Sequence, residues 1–498
     1  MSEEKIVVVG CGIAGMCTAL ALARAGLDVT IIERDDAPPQ GDADEAFFGW
    51  PRRGATQFRH PHAFLGLMCN LLQDNYPDLL EAFYDAGARR LDYQQTLSAE
   101  LEPHYTAEPG DERLWVLLCR RATIETVLRR HVGGLSNIRI VNDLTIDGVV
   151  LDSSDAQPRL TGLKVRRDCV AEHGEHIAAD VVVDASGRTT RFPRWFGAQD
   201  VSVREDNQDA EIVYYTRHYR LREGEEEPPR NARDRAGGDL GYIKFGVFPA
   251  DNGHFAVIVC LHNCEQELRA AIKSAEGFDT VCEQIPGLAP WVDKRKSEAT
   301  THPFGIGDIR SVWRYYVDGG VPKVLNFFAV GDAALRTNPL YGRGCSTGIL
   351  HAHMLAEVLT NHADPAERAL AFAARTETEL RPIFEASRRE DVNGIRRALA
   401  VHDGQLVDPA PKGFKKRFGA AFGDALAAAA RYNLHVHRGM MRTVNLLEKP
   451  GDFLKGWRTR LIILRYMLKG RSKNAAARMQ RGPTRDEMLA TIASAGSV

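Results

Sequence analysis

The sequence predicts an α/β fold built on a parallel sheet, and three stretches predict it. The first is an apolar strand, Lys5 to Val9, that runs into Gly10, Cys11, Gly12, Ile13, Ala14 and Gly15. A helix follows from Ile13 to Ala25, stopped by Gly26, and a second strand, Leu27 to Ile32, ends on Glu33 and Arg34. The second stretch is the apolar run Val324 to Val330, which delivers Gly331 and Asp332 to a Pro/Gly-bearing turn ahead of a helix from about Cys345 to Leu359. The third is Ala179 to Val183, a hydrophobic strand ending at Asp184, Ala185, Ser186 and Gly187. Buried apolar strands that each end in a glycine turn are the units of an α/β sheet.

Each stretch carries its own chemistry. Gly10, Gly12 and Gly15, set between a strand and a helix, form a dinucleotide fingerprint: they permit a tight turn and close approach of a pyrophosphate. Glu33, about twenty residues on, suits a pair of ribose hydroxyls. At the other end of the chain, Asp332 can accept hydrogen bonds from a polyol. The free N–H groups of the helix that follows favour negative charge. A strand that hands a carboxylate to a helix start therefore fits a polyol phosphate.

Bulk composition bounds the rest. A chain of 498 residues is too long for one ordinary core, so two or three domains are expected. Hydrophobic content of 44% with 26% charged residues is that of a globular protein, and a formal net charge of −2 gives no footprint for nucleic acid. Nine scattered cysteines without a CxxC pair point to a reduced, cytoplasmic setting. No secretory signal and no membrane-spanning run is expected.

The three motifs, in this order and spacing, resemble the FAD-dependent aromatic-hydroxylase superfamily (p-hydroxybenzoate hydroxylase-like). The segments Arg53 to His62, Tyr215 to Arg220 and Asn338 to Gly344 are most similar to bacterial secondary-metabolism epoxidases and hydroxylases, among them the polyether-type polyene epoxidases. The resemblance implies a Rossmann-like FAD-binding domain of the GR2 type with a ββα sandwich. It also implies a mixed β-sheet substrate domain and a helical C-terminal region. The FAD domain is expected at 1–95, 114–200 and 323–365, the substrate domain at 96–113 and 201–322, and the helical region at 366–498. FAD contacts are implied for Gly10, Gly12, Gly15, Glu33, Arg34, Arg53, Arg121, Asp184, Gly187, Gly331, Asp332, Gly342 and Gly344. Arg120 is the neighbour that could be mistaken for Arg121. Pro339 is expected over the isoalloxazine ring, with Arg343, Gln57 and His62 as candidate catalytic residues and Tyr215 and Arg217 on the substrate side. His60 and Tyr214 are further pocket candidates.

The implied activity is monooxygenation, epoxidation or hydroxylation of a largely apolar natural product with O2 through a flavin hydroperoxide. Such chemistry asks little of protein acids and bases, because the cofactor does the difficult step. No second glycine fingerprint occurs, so electrons are expected from transient NAD(P)H docking or a partner flavin reductase. The alternatives are a flavin-dependent reductase of isoprenoid-type double bonds, a flavin halogenase, for which no Trp-x-Trp-x-Ile-Pro segment exists, or a flavin- or lipid-binding module without activity.

Along the chain, Asp35 to Gly54 reads as a loop and residues 61–86 as a helix interrupted at Pro77. Arg113 to Cys119 reads as a strand before the helix Arg121 to His131, and residues 137–183 as a small β-meander. Strands Glu211 to Arg220, Gly241 to Phe248 and His254 to Leu261 precede a helix near Cys264 to Ser274. Helices are expected from Pro365 to Ala400 and from about Lys412 onward. His60/His62, His351/His353 and His435/His437 lack a completing Cys or carboxylate, so no metal is expected. The basic, apolar stretch Phe453 to Lys473 reads as a helix packed on the body, with contact to a membrane surface as the less favoured reading.

Overall fold

Val7, Val8 and Val9 are buried on both faces of the sheet, which is why the first strand is a continuous apolar run instead of an alternating one. In the computed structural model, which describes residues 4–167, 175–229, 234–405, 413–478 and 481–495, that strand is the centre of a five-stranded parallel sheet. The strand order is Phe327–Ala329, Val181–Asp184, Ile6–Val9, Val29–Ile32, Ile138–Val141. Cys169 and Lys412 lie outside the described residues. Helices Ile13–Arg24, Arg121–Gly133 and Gly344–Asn361 cover one face, meeting it through Ile6, Val8, Leu20, Ile124 and Ile349. An antiparallel meander, Thr145–Asp152, Arg159–Arg166 and Glu175–Ala178, covers the other through Val7, Val9, Leu160 and Leu163. The helix expected over 61–86 is two helices, Gly66–Asn75 and Pro77–Asp85, broken where Pro77 opens the second.

A second, antiparallel sheet runs Gly237–Asp239, Ile243–Pro249, His254–His262, Ile212–Leu221, Ser297–Ala299, with Phe304–Ile306 also paired to Ile212–Leu221. Its outer face, Val213, Tyr215 and Tyr219, packs on Leu268, Phe278 and Val281 of two short helices and on Met488. Its inner face presents Tyr214, Ile258 and Cys260 toward the first domain.

Two expectations change. Asp35 to Gly54 is not all loop: Ala43–Gly49 is helical, capped by Asp42, whose side chain accepts from the N–H groups of Asp44 and Glu45. Residues 96–113 do not join the second sheet. Leu97, Leu101 and Leu114 pack with Leu434, Met441 and Leu447 of the C-terminal helices, and Arg438 Nε donates to Asp111 at 2.9 Å. Helix Trp457–Leu468 does pack on the body, burying Thr459 and Ile463.

Candidate functional site

One cavity of about 400 Å³ is lined by residues from all three motifs. Gly10, Gly12 and Glu33 border it, as do Asp332, Pro339, Gly342 and Gly344, with Ser186 and Gly187 from the third motif and Tyr214 from the second sheet. Two glycines make this convergence sterically feasible. Gly10 has φ +100°, and a Cβ there would sit 2.7 Å from the Ala185 carbonyl oxygen. Gly331 has φ +57°, and its Cβ would fall 2.8 Å from Cβ of Ala14. The Asp332 turn thereby rests directly on the first helix.

At the fingerprint end the helix Ile13–Arg24 starts with Gly12 and has no side-chain cap, so its first N–H groups face the cavity. Glu33 is fixed by the N–H of Cys11 at 2.8 Å and of Asp35 at 3.0 Å. Arg52, which sequence reasoning passed over in favour of Arg53, is the hub here. It reaches Asp35 at 2.8 Å, Glu125 at 3.0 Å, Glu33 at 3.3 Å and the Cys11 carbonyl at 3.2 Å. Burial opposes ionisation of Glu125, but Arg121 and Arg52 outweigh it and hold the carboxyl below its usual range. Arg34 and Arg53 also line the cavity, Arg53 with an exposed side chain.

At the other end Asp332 is half-buried on the cavity wall, and desolvation pushes its pKa up against the pull of Arg336, Arg121, Arg188 and Arg314. Helix Gly344–Asn361 begins beside it, again without a side-chain cap. Its His351 accepts from the Gly331 N–H through Nδ1 at 3.3 Å and pairs with Thr376 through Nε2, so the buried ring pins the Asp332 turn. The turn Pro339–Tyr341 is held from behind by Asp391, which accepts from Asn338 Nδ2 and Tyr341 OH, both at 2.8 Å.

His62 and Arg121 form one unit. Arg121 Nη1 lies 2.7 Å from His62 Nε2, and His62 Nδ1 lies 2.9 Å from the His60 carbonyl oxygen. A guanidinium only donates, so Nε2 is the acceptor and the proton sits on Nδ1. Burial and Arg121 hold the His62 pKa well below the usual value. His62 is thus a neutral prop for Arg121, not a free acid or base. His60 bonds Thr216 at 2.9 Å and meets Tyr214 edge-on at 5.5 Å, and burial lowers its pKa to about 4. Gln57 is half-buried on the cavity wall.

Several expected site residues sit elsewhere. Tyr215 and Arg217 point to the outer face of the second sheet, where Arg217 pairs with Asp279 at 2.6 Å and donates to the Thr301 and Ala275 carbonyls. Side chains alternate along a strand, so Tyr214, Thr216 and His218 take the inner face instead. Arg343 turns away from the cavity to Ser387 at 2.5 Å and Glu390 at 3.2 Å on helix Pro365–His402. Gly15 serves packing: a Cβ there would meet the Gly10 carbonyl oxygen at 1.9 Å. Asp184 is buried under its own turn, accepting from Ser186 and from Thr190 at 2.5 Å. Arg120 is engaged by Asp251 at 2.6 Å, so of this neighbouring pair it is Arg121 that lines the cavity. Among the described residues no His/Cys/Asp/Glu group could hold a metal.

Residues 5–133 match the family model described as FAD dependent oxidoreductase. Protein Rv3254 of Mycobacterium tuberculosis is 31% identical over 240 residues, 45% of this chain and 46% of that protein, so the match spans less than half of the relative's length. Kynurenine 3-monooxygenase of Salinispora arenicola is 25% identical over 402 residues, 75% of this chain and 76% of that one. Among solved structures, PqsL of Pseudomonas aeruginosa, described as a probable FAD-dependent monooxygenase, superposes with a TM-score of 0.56. Its identity is 16%, covering 84% of this chain and 99% of that one. Residues 5–133 are thus similar to the FAD dependent oxidoreductases, and the chain shares its fold with PqsL.

Proposed function

We propose that this protein is an FAD-dependent monooxygenase that epoxidises or hydroxylates a largely apolar natural-product substrate. The observation that carries the reading is the single cavity bordered by the fingerprint glycines at one end and by Asp332 at the other. The residues suit FAD. Among the described residues no donor hydrogen-bonds the Asp332 carboxylate, a half-buried acceptor on the cavity wall that polyol hydroxyls would satisfy. Two uncapped helix starts flank the cavity where a pyrophosphate and an electron-rich ring edge would gain from positive potential. Glu33, Arg34, Arg53, Arg121 and Ser186 complete the polar wall.

Bound FAD would supply the redox chemistry and the activation of O2. The chain's own part is to orient and to keep water out. His62 fixes the Arg121 guanidinium, and the Asp391 clamp fixes the turn Pro339–Tyr341. On the inner sheet face Tyr214 reaches the cavity, backed by a packed cluster of Ile258, Ile306 and Ile309. The apolar side chains that do line the cavity, Ile13, Ala63, Phe192, Trp195 and Tyr214 among them, are what supports an apolar substrate. Electrons would arrive from NAD(P)H or from a separate flavin reductase.

The test is the visible spectrum of the purified protein, followed by oxygen uptake with isotope-labelled O2 and a panel of polyene and aromatic substrates. The reading expects a bound flavin and one labelled oxygen atom in the product. A colourless protein overturns the cofactor. A bound flavin that reduces an alkene anaerobically overturns the monooxygenase in favour of a reductase.

A further inference from the structure

We propose that helix Trp457–Leu468 is a docking face for the surface of an anionic lipid bilayer. The helix is apolar on two opposite sides. Thr459 and Ile463 are buried, and Ile462 and Tyr466 pack on Ala429 and Ala430 of helix Phe414–Tyr432. On the other side Trp457 is 75% exposed, Leu461 51%, Leu464 51% and Leu468 80%. Those four residues recur in steps of four, three and four, so they form one stripe on a helix that turns every 3.6 residues. An outward stripe of this kind is unfavourable in water and marks a contact surface.

Charge identifies the partner. Arg458, Arg465 and Lys469 flank the stripe on one side and Arg460 on the other, all exposed. No Asp or Glu occurs from Phe453 to Lys473. Among the described residues none of Arg458, Arg460 and Arg465 has a carboxylate partner. The adjoining helix adds Phe414 and Phe418, 86% and 54% exposed, with Lys415, Lys416 and Arg417 between them. Apolar side chains bordered by unneutralised cations fit the boundary between anionic headgroups and acyl chains. A symmetric contact with a second copy would instead bring arginines against arginines. Among the described residues no helix is long and apolar enough to cross a membrane, so the contact is with the surface.

Of the six tryptophans, Trp457 alone is exposed, so its emission reports directly on this face. The purified full chain is titrated with vesicles of phosphatidylcholine alone and with about 30% phosphatidylglycerol. The proposal expects a blue shift and co-sedimentation with the anionic vesicles, at least ~10-fold tighter than with neutral ones. Replacing Arg458, Arg460 and Arg465 by Gln should weaken binding about 100-fold. The triple variant Leu461→Ser, Leu464→Ser, Leu468→Ser should abolish the shift. Melting temperature is measured alongside, and should the serine variant fail to fold, the glutamine variant carries the test because Arg458, Arg460 and Arg465 are all exposed, only Arg460 hydrogen-bonding the chain among the described residues, at the Leu454 carbonyl. Absent binding, equal binding to both vesicles, or a dimer that the serine variant dissociates would each overturn the proposal.

Discussion

Acidification from about pH 7 to about pH 5 should strike the fold at three buried imidazoles. Burial lowers the pKa of His60 to about 4 and those of His218 and His351 to about 3, from an ordinary 6.5. Each ring does structural work in its neutral form: His60 to Thr216, His218 to the Arg59 carbonyl, His351 to the Gly331 N–H. In that pH window the unfolded chain takes up protons that the folded chain refuses, so stability falls as pH falls through 6.5. At 1.36 kcal/mol per unit, about 1.5 units below the ordinary value costs about 2 kcal/mol per ring, or about 6 kcal/mol for the three. Asp184 and Asp332, raised by burial, act in the opposite sense, while His62 and His437, also held low by burial, add to the loss, so about 6 kcal/mol is the share of these three rings alone. Paired carboxylates such as Asp251 are held low and titrate below this window. The whole stability of a typical domain is about 5–15 kcal/mol, so the loss is large. Urea unfolding followed by tryptophan fluorescence at the two pH values measures it. His351→Gln should remove about 2 kcal/mol of the pH dependence, whatever it does to stability at pH 7. Equal urea midpoints at both pH values, or a variant that keeps the full slope, would refute the reasoning.

Four further outcomes follow from the geometry. Asp332→Ala should cut FAD affinity about 10- to 100-fold, as loss of charge-assisted hydrogen bonds does, read by flavin content after gel filtration. Arg52→Met leaves Glu33, Asp35 and Glu125 without their shared cation and should destabilise by about 3–5 kcal/mol, measured by urea unfolding. Gly331→Ala, strained at φ +57° and crowding Ala14, should cost about 1–3 kcal/mol and lower flavin content. Arg343→Gln should leave flavin content and KM unchanged while the melting temperature drops by a few degrees, because its partners are Ser387 and Glu390; an altered KM would contradict this placement.

Much of the first domain was legible because its signals are local. The strand, glycine turn, helix and Glu33 sit within one stretch, and the Asp332 turn is announced by the strand before it. The helix Ala43–Gly49 was legible too, through Asp42 as a cap with Asp44 and Glu45 in the first turn, and was overlooked. What could not be read was parity in the strand Ile212–Leu221. Residues Val213 to Tyr219 are all buried, so no alternation of hydrophobicity tells Tyr214 from Tyr215. The Arg52 hub gathers carboxylates up to 92 positions apart in numbering from Glu33 to Glu125, and Asp111 meets Arg438 at a separation of 327 residues. No window along the sequence contains such pairs.

Asp391 has a consequence for how this protein could be trimmed. Its one carboxylate ties Asn338 and Tyr341 to helix Pro365–His402 and, through Ser311, to strand Arg310–Tyr315. A shortened chain ending before Pro365 would keep every glycine of the fingerprint and every strand of the parallel sheet. It would nonetheless lose the anchor of the turn that carries Pro339. The nucleotide-holding portion is therefore not a self-sufficient half, and swapping helical tails between relatives would disturb the ring environment along with whatever the tail itself contacts.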